Sequence, residues 1–227
     1  MNRARRLAIA MAKSQVKLLA VDFDRTIVSV HTRGNWRGSP KALAQEVRPF
    51  FRDFFVAAQD IGIWVAIVSF STQAQLIADC MAIALNDRVE HMYLRCADGA
   101  WNVSMHQARG TDFEGCDFTL QGGKMGHIFS VVCDIHARTG LRIHQNDCLY
   151  LDDDLRNVER ARSAGMFHSG WFPATYEPNS ADRIMWRELE GYYLENKPWD
   201  ILATSSEIPY SDSSANRPKV SLLCSIL

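Results

Sequence analysis

The run Val16-Lys-Leu-Leu-Ala-Val21, closed by Asp22-Phe23-Asp24-Arg25-Thr26, constrains the fold of this chain more than any other stretch. A short apolar run bounded by acids reads as a strand buried on both faces, the kind found in parallel sheets. Further strands are expected at 63–68, 89–95, 148–151 and 166–171. Helices are expected between them. Ser39-Pro40 is a helix-start signal and Pro49 a break, which predicts two short helices within 40–60. Others are expected at 72–85, capped by Ser71, at 124–139, stopped by Gly140, and at 155–164 and 182–196. Strands alternating with helices imply an α/β layered fold, whose ligands collect at the carboxyl ends of the strands. Residues two apart in a strand point the same way, so Asp22 and Asp24 are both expected to face that edge.

The formal net charge of -1 over 227 residues gives no global field for a polyanion, so no nucleic-acid partner is expected. The six cysteines, Cys80, Cys96, Cys116, Cys133, Cys148 and Cys224, show no C-x-x-C pair and no zinc-ligand spacing. Free thiols in a reducing, cytoplasmic setting are the expectation, with disulfides the alternative. No apolar stretch approaches the roughly 20 residues needed to span a bilayer. Residues 1–15 carry Arg3, Arg5, Arg6 and Lys13 without an acid, and Leu7, Ala10 and Met11 share a helical stripe from which Ile9 departs. Both a transit peptide and an amphipathic helix leading into the first strand fit this segment. The absence of serine before Ser14 favours the helix. Residues 16–197 are then expected to form one domain and 198–227 a flexible tail. The polar stretch 29–38 reads as a loop or small hairpin that brings His31, Arg33, Trp36 and Arg37 near the site, and 97–123 as a loop with a hairpin at 101–106.

Four separated features line up: the acid pair Asp22 and Asp24 with Thr26, the strand 63–68 ending at Ser69, Lys124 opening a helix, and the strand ending in Asp152-Asp153. In order and spacing they resemble the haloacid dehalogenase-like (HAD) phosphohydrolase superfamily, with its D-x-D-x-T motif, its strand-end serine or threonine, its lysine and its D-D pair. Asp152-Asp153-Asp154-Leu-Arg-Asn157 also resembles the D-D-x-x-x-N form of that superfamily's magnesium-dependent phosphatases. The resemblance covers about residues 17–171. It implies a three-layer Rossmann-like fold with a mostly parallel sheet. The 43 positions from Thr26 to Ser69 and the 55 from Ser69 to Lys124 leave room for a minimal cap or none.

Physical chemistry supports the same reading. Three or four carboxylates at one sheet edge repel one another, so a cation is expected. All-oxygen ligands suit Mg²⁺. The resemblance implies Asp22 as a nucleophile forming an aspartyl-phosphate and Asp24 as the acid and base. It implies Ser69 and Lys124 as holders of the phosphoryl oxygens, and Mg²⁺ bound by Asp22, the main-chain carbonyl of Asp24, and Asp152, with Asp153 beside it. Thr26 would order the turn, and Asp154 would cap the following helix. Ser71 competes with Ser69, which is preferred because Ser71 has a ready role as cap. Arg25 stands where many relatives have glycine.

The implied activity is Mg²⁺-dependent hydrolysis of a phosphate monoester, on a small molecule or a phosphoprotein. The alternatives are a phosphotransferase using the same intermediate and a non-catalytic Mg²⁺-binding module. Cys224-Ser-Ile-Leu227 also fits the C-a-a-X pattern for a geranylgeranyl anchor, which would attach the chain to a membrane.

Overall fold

Five strands form one sheet in which every pairing is parallel. The computed structural model describes residues 1–98, 124–166, 168–172 and 178–198. The strands are β1 (Leu18–Asp22), β2 (Trp64–Val68), β3 (Met92–Arg95), β4 (Cys148–Asp152) and β5 (Ser169–Trp171), in the spatial order β3-β2-β1-β4-β5. The chain runs outward from β1 to β3 and then returns to place β4 on the other side of β1. That reversal creates a crevice at the carboxyl ends of β1 and β4, the usual place for a ligand in such sheets. Asp22 is in register with Val68, and Val21 with Leu151.

Helices cover both faces: α1 (Arg3–Lys13), α2 (Pro40–Gln45), α3 (Pro49–Asp60), α4 (Ala74–Ala84), α5 (Lys124–Thr139), α6 (Leu155–Ser163) and α7 (Pro178–Glu195). Strand alternation divides the core into two layers. Leu19, Val21, Val65, Ile67, Leu149 and Leu151 pack with buried residues of α1, α3, α4 and α7. Leu18, Ala20, Ala66, Val68, Cys148 and Tyr150 pack with α5 and with Ala161 of α6. By the same parity, Asp22 and Asp152 continue the α5 side of β1 and β4. This is the geometric reason a side chain on α5 can reach both.

The elements follow the sequence pattern, with shifts at some ends. β3 begins at Met92 and β5 at Ser169, α4 begins at Ala74, and α7 begins at Pro178, four residues before Asp182. The Pro49 break is real and has a use. It frees the segment between α2 and α3 to lie antiparallel to the chain leaving the acidic motif, with Ser29 N–H donating to Glu46 O and Arg48 N–H to Ile27 O, both at 2.9 Å. Of the four buried phenylalanines of α3, Phe50, Phe51 and Phe54 pack with Phe172 and Trp186, and Phe55 packs on Phe51. Burial of each such ring contributes about 1.5–3 kcal/mol.

Helix α1 lays Leu7 and Met11, both fully buried, and Ala10 into the core, as its stripe predicts. Arg3 pairs with Glu190 of α7 at 2.7 Å and lies 4.9 Å from the Trp186 ring centroid. Between Thr26 and Ser69 the chain forms only a loop, α2, α3 and β2, with no cap insert in this stretch. The expected hairpin at 101–106, Cys116, the tail beyond 198 and Cys224 lie outside the described residues. Cys80 and Cys148 are free and buried, and Cys96 and Cys133 are buried. No helix among the described residues is long and apolar enough to cross a membrane.

Candidate active site

Asp22 is the last residue of β1 and is almost fully buried. Its carboxylate accepts hydrogen bonds from Lys124 Nζ and, at 3.2 Å, from the Thr26 hydroxyl. Lys124, the first described residue of α5, also lies 3.1 Å from Asp152 Oδ2. A cation at a helix N-terminus is unfavourable by itself, and burial works against it too. The two carboxylates outweigh burial and raise the ammonium's pKa, so it stays charged. Burial raises the pKa of Asp22, with Asp152 and Asp24 adding to the rise and Lys124 opposing it. Asp153 is raised for the same reason, burial first and then Asp22 and Asp152.

Asp152, at the end of β4, is fully buried and held from three sides. Tyr150, two residues earlier on the same strand face, donates its hydroxyl to Oδ2, and Asn157 Nδ2 donates to that oxygen at 3.0 Å. Oδ1 accepts the Asp154 N–H at 2.7 Å. Asp154 itself caps α6, accepting the Arg156 N–H at 3.0 Å, as its position in the sequence predicts. One carboxylate oxygen from each of Asp22, Asp152 and Asp153 lies within 4.8 Å of the other two. The donors are all oxygen and a single ammonium does not balance three carboxylates, so the triad suits a hard divalent cation.

Asp24 stands differently from what strand alternation suggests. β1 ends at Asp22, and Phe23 to Ile27 make a wide turn in which Arg25 has φ +62°. The side chain of Asp24 is outside the three-carboxylate group. It accepts hydrogen bonds from the Thr32 N–H and hydroxyl, each at 3.0 Å, and pairs with His31 Nδ1 at 2.9 Å. Burial alone would raise its pKa, but these bonds outweigh burial and hold it below the ordinary carboxylate value. The expected loop is thus present at 29–38, with His31 on Asp24. Trp36 is anchored instead by its main chain, which exchanges two hydrogen bonds with the Gln73 amide at 2.7 and 3.1 Å.

Ser69 follows β2 directly and is buried. Its oxygen accepts the Ser71 N–H at 3.1 Å. Ser71 is not the cap of α4. Its hydroxyl accepts the Gln73 N–H two residues on, closing a local turn, and the helix starts only at Ala74. Gln73 occupies the cap position without capping, because its side chain is committed to Trp36.

Arg48 was not among the residues singled out from the sequence. It is nearly fully buried, and its guanidinium donates to the Thr26 carbonyl at 3.1 Å and the Arg25 carbonyl at 3.2 Å. Those carbonyls belong to the turn between Asp22 and the loop that holds Asp24. A left-handed residue other than glycine is strained, and persists where its surroundings fix it. Arg48 supplies that fixing for Arg25. Arg48→Met is expected to lower the unfolding free energy by about 3 kcal/mol, since it leaves buried carbonyls without their donor. A urea midpoint equal to the parent's would show that the guanidinium does not hold the turn.

Comparisons of the chain with family models, with curated proteins and with solved structures return no match.

Proposed function

We propose that this chain is a Mg²⁺-dependent phosphatase that hydrolyses phosphate monoesters through an aspartyl-phosphate on Asp22. The observation that carries the reading is the buried ammonium of Lys124, bonded to Asp22 and Asp152 together. It joins three motifs far apart in sequence at one sheet edge. A structural ion pair would need only one of those acids.

In this reading, Asp22, Asp152 and Asp153 hold the cation, with the main-chain carbonyl of Asp24. The ion's contribution is to neutralise charge on the phosphoryl oxygens and on the clustered carboxylates. One oxygen of Asp22 attacks phosphorus in line while the bond from phosphorus to the ester oxygen breaks. Lys124 and the Ser69 hydroxyl donate to the remaining phosphoryl oxygens as their charge redistributes. Asp24 gives a proton to the departing oxygen. It then takes one from a water that attacks phosphorus and releases inorganic phosphate from Asp22. His31 and Thr32 fix the position of Asp24 and favour its ionised form, which serves the second step. The incoming phosphoryl dianion pushes the other way and supports protonation for the first.

The test is release of phosphate from an aryl phosphate by the purified protein. Turnover is expected with Mg²⁺, to vanish with excess chelator, and to return when Mg²⁺ is restored. Turnover indifferent to chelator, or none across a broad panel of phosphoesters while Mg²⁺ still binds, would refute the reading.

A further inference from the structure

Phe70 stands directly after Ser69 and is 49% exposed. Isolated exposed apolar side chains are ordinary on protein surfaces. The other large ones among the described residues are Met1, Ile83 in the last turn of α4, and Leu194 in the last turn of α7. Phe70 differs from them in kind and in place. Its ring centroid lies 5.3 Å from Lys124 Nζ, the ammonium bonded to Asp22. The ring also meets the buried His127 edge-on, with centroids 5.8 Å apart. Lys124 and His127 are three residues apart on α5 and so share one face of the helix. An aromatic surface is thereby held in place beside the nucleophile with part of it open to solvent.

We propose that Phe70 is the platform for the leaving group, and that the site takes phosphate monoesters of aromatic alcohols. The proposal rests on the phosphatase reading above. With the phosphoryl group against Ser69 and Lys124, the buried carboxylates and the strand ends close the inner side, and the ester substituent points outward past the ring. A planar aromatic substituent stacks or packs edge-on against such a surface, whereas a short alkyl chain covers little of it. The platform is fixed in advance, so little ordering is needed when a ring docks. In the step it assists, Asp22 bonds to phosphorus as the bond to the phenolic oxygen breaks. That bond's electron pair stays on the phenolic oxygen, which takes the proton from Asp24.

Aryl phosphates react faster than alkyl phosphates without any recognition, because phenolates are better leaving groups. The informative quantity is therefore the change in preference on substitution. The quantity kcat/KM covers binding through loss of the alcohol, so slow breakdown of the phosphoenzyme does not mask it. Phe70→Ala is expected to lower the ratio of kcat/KM for phenyl phosphate over ethyl phosphate about two- to tenfold, the range set by one aromatic contact. Phe70→Trp is expected to keep the parent's ratio. Circular dichroism is to check that both variants fold. A ratio in Phe70→Ala equal to the parent's, whether both rates fall or neither does, would overturn the platform. Failure of the underlying reading shows separately, as Asp22→Asn retaining the parent's rate on either ester.

Discussion

Asp22→Asn is expected to reduce Mg²⁺-dependent phosphate release by about a thousandfold or more, the largest effect of any single substitution in this chain. The amide has nearly the carboxylate's size, its oxygen can accept a Lys124 proton, and its NH2 can donate to the Thr26 oxygen once that hydroxyl turns, so the fold should survive. What it lacks is an anionic oxygen to attack phosphorus. Losing a covalent nucleophile removes the step that divides the reaction in two, and the barrier rises by more than the ~1.4 kcal/mol that accounts for each factor of ten. Thr26→Val removes the hydroxyl beside the same carboxylate and should cost far less, since Lys124 still orients Asp22. A covalent label discriminates further. Acyl phosphates are reduced by borohydride, so the parent, quenched during turnover, should carry the reduced residue at position 22 and Asp22→Asn should not. Retention of the parent's rate by Asp22→Asn would remove this residue from the chemistry.

The main elements of the fold and the residues of the candidate site were legible because they depend on local pattern. Buried parallel strands announce themselves as apolar runs. A residue that must stand at a strand's carboxyl end, such as Asp22, Ser69 or Asp152, is the first polar group after such a run or closes it. Tyr150 was also within reach, since i and i+2 on one strand share a face, and its hydroxyl lands on Asp152. Contacts between distant segments left no local mark. Arg48 reads as an ordinary residue before a helix-starting proline, yet its guanidinium crosses to the turn after Asp24. Asp182 reads as the start of the last helix. It lies instead four residues inside α7, and its carboxylate accepts the Phe50 N–H at 3.1 Å, capping α3 from outside. Ser71 has the right residue type for a cap, but its hydroxyl closes a turn onto Gln73, whose amide bonds to Trp36, and α4 begins only at Ala74. The alternation that relates Asp24 to Asp22 stops where β1 ends, and the turn over Phe23–Ile27 sets the place of Asp24 instead.

Lys124→Met is expected to abolish most activity, by about a hundredfold or more, and to leave a distinct trace in stability. Among the described residues the ammonium is the one cation bonded to both Asp22 and Asp152, and all three groups are buried. Removing one partner of a buried ion pair typically costs about 3–5 kcal/mol, because the charge left behind is uncompensated. Carboxylates can escape that penalty by taking up protons, which makes the deficit depend on pH. In the parent, burial and neighbouring carboxylates already raise the pKa values of Asp22 and Asp153 above the ordinary carboxylate value of 3.8. A group raised in the folded state binds protons more tightly there than when unfolded. Its favourable contribution is therefore complete in acid and is lost as pH rises from about 4 toward and past neutrality. Without Lys124 the rise is larger and the loss deeper. Urea unfolding without metal should show the variant's deficit relative to the parent to be larger at pH 8 than at pH 5. Saturating Mg²⁺ should narrow the deficit at pH 8, since an ion held only by the folded carboxylates stabilises that state. A deficit equal at both pH values would mean that the ammonium serves packing rather than charge, and the electrostatic account of this site would fall with it.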